Sequence, residues 1–191
     1  MKKLLGIVVL GLMLITPSWA DDIRDFEIEG ISIGDSALDY FTKEEIKKNS
    51  KKYYKDKTFT PVEMSNFPFF KIYMGVDFDY KTNDQKYIIH AISGIIDYKN
   101  KDINKCYNQL DNIVNDIRVS LPDFEESKKS VDIHDADETQ KSKITRVMFW
   151  GSEGVIAINC YDYSVELGWA DHLALTINTE EFNDFLITAY D

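Results

Sequence analysis

The stretch from Lys86 to Pro122 constrains the fold most. It opens with the most apolar internal run of the chain, Lys86-Tyr-Ile-Ile-His-Ala-Ile-Ser-Gly-Ile-Ile-Asp-Tyr98. After Lys99-Asn-Lys101 it passes into a segment where Ile103, Cys106, Leu110, Ile113, Ile117 and Leu121 recur at steps of three and four. A period of 3.6 gathers these six on one helix face, which must lie against something apolar. The preceding run is apolar on both faces, as a central strand is, and supplies that surface. Asn100 or Asp102 caps the helix and Pro122 stops it.

The periodicities on either side extend this strand and helix into a sheet. Phe70, Ile72, Met74, Val76, Phe78 and Tyr80 alternate with more polar residues, which predicts a strand over Phe69–Tyr80. Thr82-Asn-Asp-Gln85 reads as a turn, so this strand and Lys86–Tyr98 form an antiparallel hairpin. Thr58–Glu63 is a further short strand. Upstream, Asp21–Glu29 reads as acidic and weakly structured. Ile28–Ser36 reads as an extended piece turning at Gly34, with Asp35 or Ser36 as a helix cap. Thr42-Lys-Glu-Glu45 is a capping box heading a lysine-rich, solvated segment that runs to Lys57. Downstream, Asp123–Ser142 has no apolar period and is expected to be a long polar loop. Lys143–Trp150 and Val155–Tyr163 flank the hairpin signal Gly151-Ser-Glu-Gly154. Trp169, Asp171, Leu173, Leu175 and Ile177 alternate in a last strand. Asn178-Thr-Glu-Glu181 then opens a terminal helix carrying Phe182, Phe185 and Leu186. The expected class is α+β, an antiparallel sheet of about five strands with helices packed on one face, in the order α-β-β-α-β-β-β-α.

The N-terminus reads as an export signal. Lys2 and Lys3 precede an apolar run from Leu4 to Thr16, and Ser18 and Ala20 place small residues before a cleavage point at Asp21. The expected organisation is therefore a signal peptide over 1–20 and one α+β domain over 21–191, periplasmic or secreted, with no membrane span in the mature chain. Without Lys2 and Lys3, 20 basic residues face 33 acidic ones, a formal net charge of −13. That balance repels phosphate backbones, so nucleic acid is not an expected partner. Cys106 and Cys160 are the only cysteines. In an exported chain they are expected to pair, pinning helix to sheet, with two buried thiols as the alternative.

Several residue patterns are candidates for chemistry. Gly34-Asp-Ser-Ala-Leu38 resembles the G-D-S-L block of a family of serine esterases, and the resemblance implies Ser36 as nucleophile. The chain departs from that family's other blocks: Asn83-Asp84 follows Lys81-Thr82 rather than a glycine, and Asp171 directly precedes His172. A glycine turn with Asp35 and Ser36 capping a helix is the structural alternative. Asp132, His134, Asp135, Asp137 and Glu138 crowd one acidic segment with the oxygen ligands a hard cation prefers, although such a segment also serves as a solvated loop. Trp150, Tyr161 and Trp169, with Tyr163, Tyr53 and Tyr54, are candidates to line a ligand groove, though strand aromatics also serve as cross-strand pairs. No cofactor motif is present, and none is expected.

The string from Ile28 to Ile46, Ile-Glu-Gly-Ile-Ser-Ile-Gly-Asp-Ser-Ala-Leu-Asp-Tyr-Phe-Thr-Lys-Glu-Glu-Ile, resembles the start of small exported proteins of unknown function from marine α-proteobacteria. Ile31-x-Ile-Gly-x-Ser-x-Leu38 is similar to the opening of small envelope α+β modules, among them outer-membrane-assembly lipoproteins and β-lactamase-inhibitor-like domains. In those, helices pack on one face of an antiparallel sheet. The expectation is a non-enzymatic periplasmic or envelope module that binds a protein or a small molecule. The alternatives are a small serine esterase using Ser36 and a cation-binding protein.

Overall fold

The computed structural model describes residues 22–98 and 102–190. The expected signal segment therefore lies outside the described residues, as do Asn100 and Lys99. Among the described residues, β1 (Glu27–Ile28) and β2 (Ile31–Ser32) form a small hairpin, followed by α1 (Lys43–Asn49). Then come β3 (Phe59–Ser65), β4 (Gly75–Lys81), β5 (Ile89–Asp97) and α2 (Ile103–Ser120). The second half holds β6 (Glu125–Glu126), β7 (Ser130–Ile133), β8 (Lys143–Gly151), β9 (Gly154–Asp162), β10 (His172–Thr179) and α3 (Glu180–Leu186).

Eight of the strands build one antiparallel sheet in the order β3-β4-β5-β10-β9-β8-β6, with β7 also paired to β8. The α+β class and the antiparallel pairing are as expected, but the sheet is larger than five strands and the element order differs. β10 enters between the two hairpins, so β5 and β9 become central and explain why their apolar runs are continuous. Asp123–Ser142 is not an open loop. β6 and β7 form one broken edge strand along β8, interrupted where the Ser127 N–H reaches Met148 O at 2.8 Å.

The pleat divides the sheet into two faces. Cys160 bonds Cys106 of α2, so Ile156, Ile158 and Cys160 face that helix, as do Leu173, Leu175 and Ile177 of β10. α2 buries Cys106, Leu110, Ile113, Val114 and Ile117 there, the predicted stripe with Val114 added. Ile23, Ile28, Ile31 and Ile33 cover the rest of the same core, so the segment after Asp21 is part of the fold rather than weakly structured. Phe182 and Phe185 of α3 instead pack with Tyr54, Phe59, Ala91 and Ala189 on the opposite face. Helices thus cover both faces, not one. Thr179 caps α3 and accepts the Phe182 N–H at 3.2 Å, which turns the chain back over the sheet end.

The strand predicted over Phe69–Tyr80 begins only at Gly75, and the alternation slips before it. Tyr73 is buried while Ile72 and Met74 are exposed. The Glu29 carboxylate accepts the N–H groups of Lys71, Ile72 and Tyr73, so these donors turn away from any strand neighbour. Tyr73 then lies flat over Gly94, where a Cβ would meet its ring at 2.5 Å. Gly94→Ala is therefore expected to lower the unfolding free energy by about 2 kcal/mol through overpacking, read as a lower urea midpoint at unchanged slope.

Candidate functional site

α3 crosses only one end of the second sheet face. At the other end the face is open, and its residues follow from the pairing register. Asp97, His172, Tyr161 and Ile144 form one cross-strand row. The next is Ile95, Ala174, Asn159 and Arg146, and the third is Asp77, Ser93, Thr176, Ala157 and Met148. Most of these side chains are half-buried, and the Ser93 and Thr176 hydroxyls bond each other at 2.7 Å.

An aromatic cluster occupies one corner of this open face. Tyr161 stacks on His172 with ring centroids 4.5 Å apart and planes 24° apart, and on Tyr163 at 5.8 Å and 19°. Trp169 stands on edge to Tyr163 at 5.1 Å, and His134 contacts Tyr161, Tyr163 and Trp169 at 6.0, 5.3 and 5.8 Å. Tyr161, Tyr163 and Trp169 belong to neither hydrophobic core, and Trp169 is 47% exposed. The 164–170 turn that carries Trp169 is held from below: buried Asp171 accepts the Tyr163 N–H at 2.9 Å, and Ser142 Oγ accepts the Ser164 N–H at 2.8 Å. Trp169 lies before β10, which starts at His172, so the last strand is shorter than its alternation suggested.

The electrostatics keep this corner largely neutral. Burial lowers the His172 pKa, so the ring is uncharged at neutral pH. Its Nδ1 sits 3.2 Å from the Ala170 carbonyl, an acceptor, so Nδ1 carries the proton and Nε2 is left as an acceptor. Burial raises the Tyr161 and Tyr163 hydroxyls, which stay protonated as donors. At the far side of the same face, burial pushes Asp77 and Asp79 up to about 7, with the neighbouring Glu63 and Asp79 charges adding to the effect at Asp77. Asp79 also accepts the Tyr54 hydroxyl at 3.0 Å.

Of the residues singled out in the sequence, Tyr161 and Trp169 meet, joined by His134. Trp150 does not. It pairs with Val155 at the opposite end of β8, six residues and about 20 Å from Ile144 beside Tyr161. Ser36 is a cap: its Oγ accepts the Leu38 N–H at 3.2 Å and donates to Lys86 O at 2.6 Å. Asp137 is the knot of the 134–142 segment. Its buried carboxylate accepts from Thr139 N and Oγ1 and from Ser142 N and Oγ, and the Ser142 hydroxyl first among these holds its pKa well below the usual range. Asp132 accepts from Ser130 Oγ, and Asp135 and Glu138 are exposed. Among the described residues no three His, Cys, Asp or Glu side chains converge on a common metal position. Cys106 and Cys160 are bonded, as expected, with Cα atoms 5.9 Å apart.

Sequence reasoning missed Arg146, Asn159, Asp77 and Asp79. Alternation marks Asp77 and Asp79 as the wet face of β4, and nothing local signals that the chain end returns over them. Two clefts lie elsewhere, one of about 280 Å³ beside Gly34, His90 and Glu181 and one of about 650 Å³ between α2 and Ser127–Lys129. Neither gathers aromatic rings. No protein-family model, no characterised protein sequence and no solved structure matches the chain.

Proposed function

We propose that this chain is a non-enzymatic binding module of the periplasm or cell exterior, and that a ring-bearing small molecule docks on the open sheet face at Tyr161, Trp169 and His172. The observation that carries this reading is the packing of five rings outside both apolar clusters, with Tyr163 buried among them and Trp169 47% exposed. Rings gathered where no core needs them present a rigid stacking surface at little entropic cost. Binding is favoured over hydrolysis because the Ser36 hydroxyl is engaged by backbone groups at the other end of the molecule. The export expectation has independent support in the Cys106–Cys160 bond, which suits an oxidising compartment, and no helix among the described residues is long and apolar enough to cross a membrane. The resemblance to small exported proteins and envelope modules belongs to the same proposal.

Titration calorimetry with 4-hydroxyphenylacetate and with its uncharged amide tests the site. At least one is expected to bind with a Kd in the millimolar range or tighter, as fragments of this size do. Trp169→Ala and Tyr161→Ala should each weaken it about tenfold while leaving the urea midpoint nearly unchanged for Trp169. An unaltered isotherm in a folded Trp169→Ala protein would place binding elsewhere, and silence from both compounds would remove the reading.

A further inference from the structure

Arg146 sits in the middle of the open face, on β8 beside Asn159 and diagonal to Tyr161. Its Nε donates to Asn159 Oδ1 at 2.8 Å, and Asn159 is itself only 7% exposed. That single bond fixes the plane of the guanidinium and leaves both terminal nitrogens uncommitted. Among the described residues no carboxylate lies within ion-pair distance of Arg146, whereas the two other arginines, Arg24 and Arg118, are each paired with one. Asp132 on the adjoining edge strand is engaged by Ser130, and Asp97 is three strands away, about 14 Å. The only cation–aromatic stack among the described residues is Lys43 over Tyr87, so Arg146 is not spent on a ring either. A half-buried guanidinium costs free energy unless an anion meets it. In a chain of net charge −11, a half-buried arginine held by a buried asparagine and left without a carboxylate beside a ring surface points to a ligand.

We infer that Arg146 is the anion-gripping residue of this face and that the ligand class is a ring-bearing monocarboxylate. This rests on the ring surface being the binding site. The ring lies on the Tyr161–His172 stack and against Trp169, and the carboxylate takes the two Nη groups in a bidentate fork. Tyr161, protonated, donates a further bond. Asn159 is a positioning residue, since it touches Arg146 and not the ligand. A dianion is disfavoured, because one guanidinium neutralises one charge and the surrounding field is acidic.

The test compares 4-hydroxyphenylacetate, its amide and the cationic tyramine on the purified protein by calorimetry. The carboxylate is expected to bind at least tenfold more tightly than either. Arg146→Gln should erase that preference while leaving affinity for the amide within twofold, and Arg146→Lys should restore part of it. Asn159→Ala should weaken the carboxylate alone. The preference in the unaltered protein is readable even if a variant fails to fold. Amide or tyramine binding as tight as the carboxylate would overturn the assignment of Arg146 while keeping the ring site. A preference that survives in folded Arg146→Gln would do the same. Absence of binding by all three would overturn both.

Discussion

Replacing Cys106 and Cys160 together by alanine is expected to lower the unfolding free energy by about 4 kcal/mol. The bond closes a loop of sequence separation 54, and a crosslink of that span removes this much chain entropy from the unfolded state. Both residues are fully buried, so their replacement also leaves apolar volume unfilled at the α2–β9 contact. Reducing the unaltered protein should shift its urea curve to that of the double variant. A difference below about 1 kcal/mol would mean that α2 is held by its apolar stripe alone. The effect should reach the candidate site, because Cys160 precedes Tyr161 in β9, and Cys106 Sγ lies 3.6 Å from the His172 carbonyl. The bond thus anchors α2 directly beneath the two rings that stack.

The second large effect concerns Asp77 and Asp79. Burial pushes both carboxyls up to about 7 in the folded protein, against 3.8 for an exposed aspartate, so between these values the folded chain holds protons that the unfolded chain has released. Stability from this source is present below about pH 4 and is lost as pH rises through about 7. Asp79→Asn removes the cost of charging while its amide oxygen still accepts the Tyr54 hydroxyl. The variant is expected to be more stable than the parent at pH 8 by about 2 kcal/mol, after discounting for partial solvent access, and no more stable at pH 4. Asp77→Asn should behave alike, and the two effects should not add, since each charge raises the other's cost. The lowered His90 and His172 pKa values tilt stability the opposite way, because neutral imidazoles favour the fold as pH rises; comparing variant with parent cancels them. Urea unfolding at both pH values decides, and equal stability at pH 8 would show that these carboxyls are well solvated.

Local patterns foretold much of the frame. The stripe from Ile103 to Leu121, the Thr42 capping box and the Gly151–Gly154 hairpin depend on near neighbours, and each is where periodicity put it. Chain reversal over long distances left weaker traces. Nothing in the run Phe182–Leu186 says which sheet face it will cover, and that choice decides which strand residues remain open. The slip at Tyr73 depends on Glu29, more than forty residues earlier. The candidate site was half legible for the same reason. Tyr161 and Trp169 stood out by residue type, but His134 suggested metal ligation rather than ring packing, and His172 and Arg146 carried no such signal until β8, β9 and β10 were in register.

The open end of the sheet is proposed as a binding surface. Amide chemical-shift mapping during titration with 4-hydroxyphenylacetate tests it most directly. The predicted result is saturable shifts confined to Ile144–Met148, Ala157–Tyr163 and Trp169–Thr176, with the α1 and Gly34 regions silent. Shifts centred instead on Gly34, Ser36 and His90, or spread evenly over the surface, would contradict it.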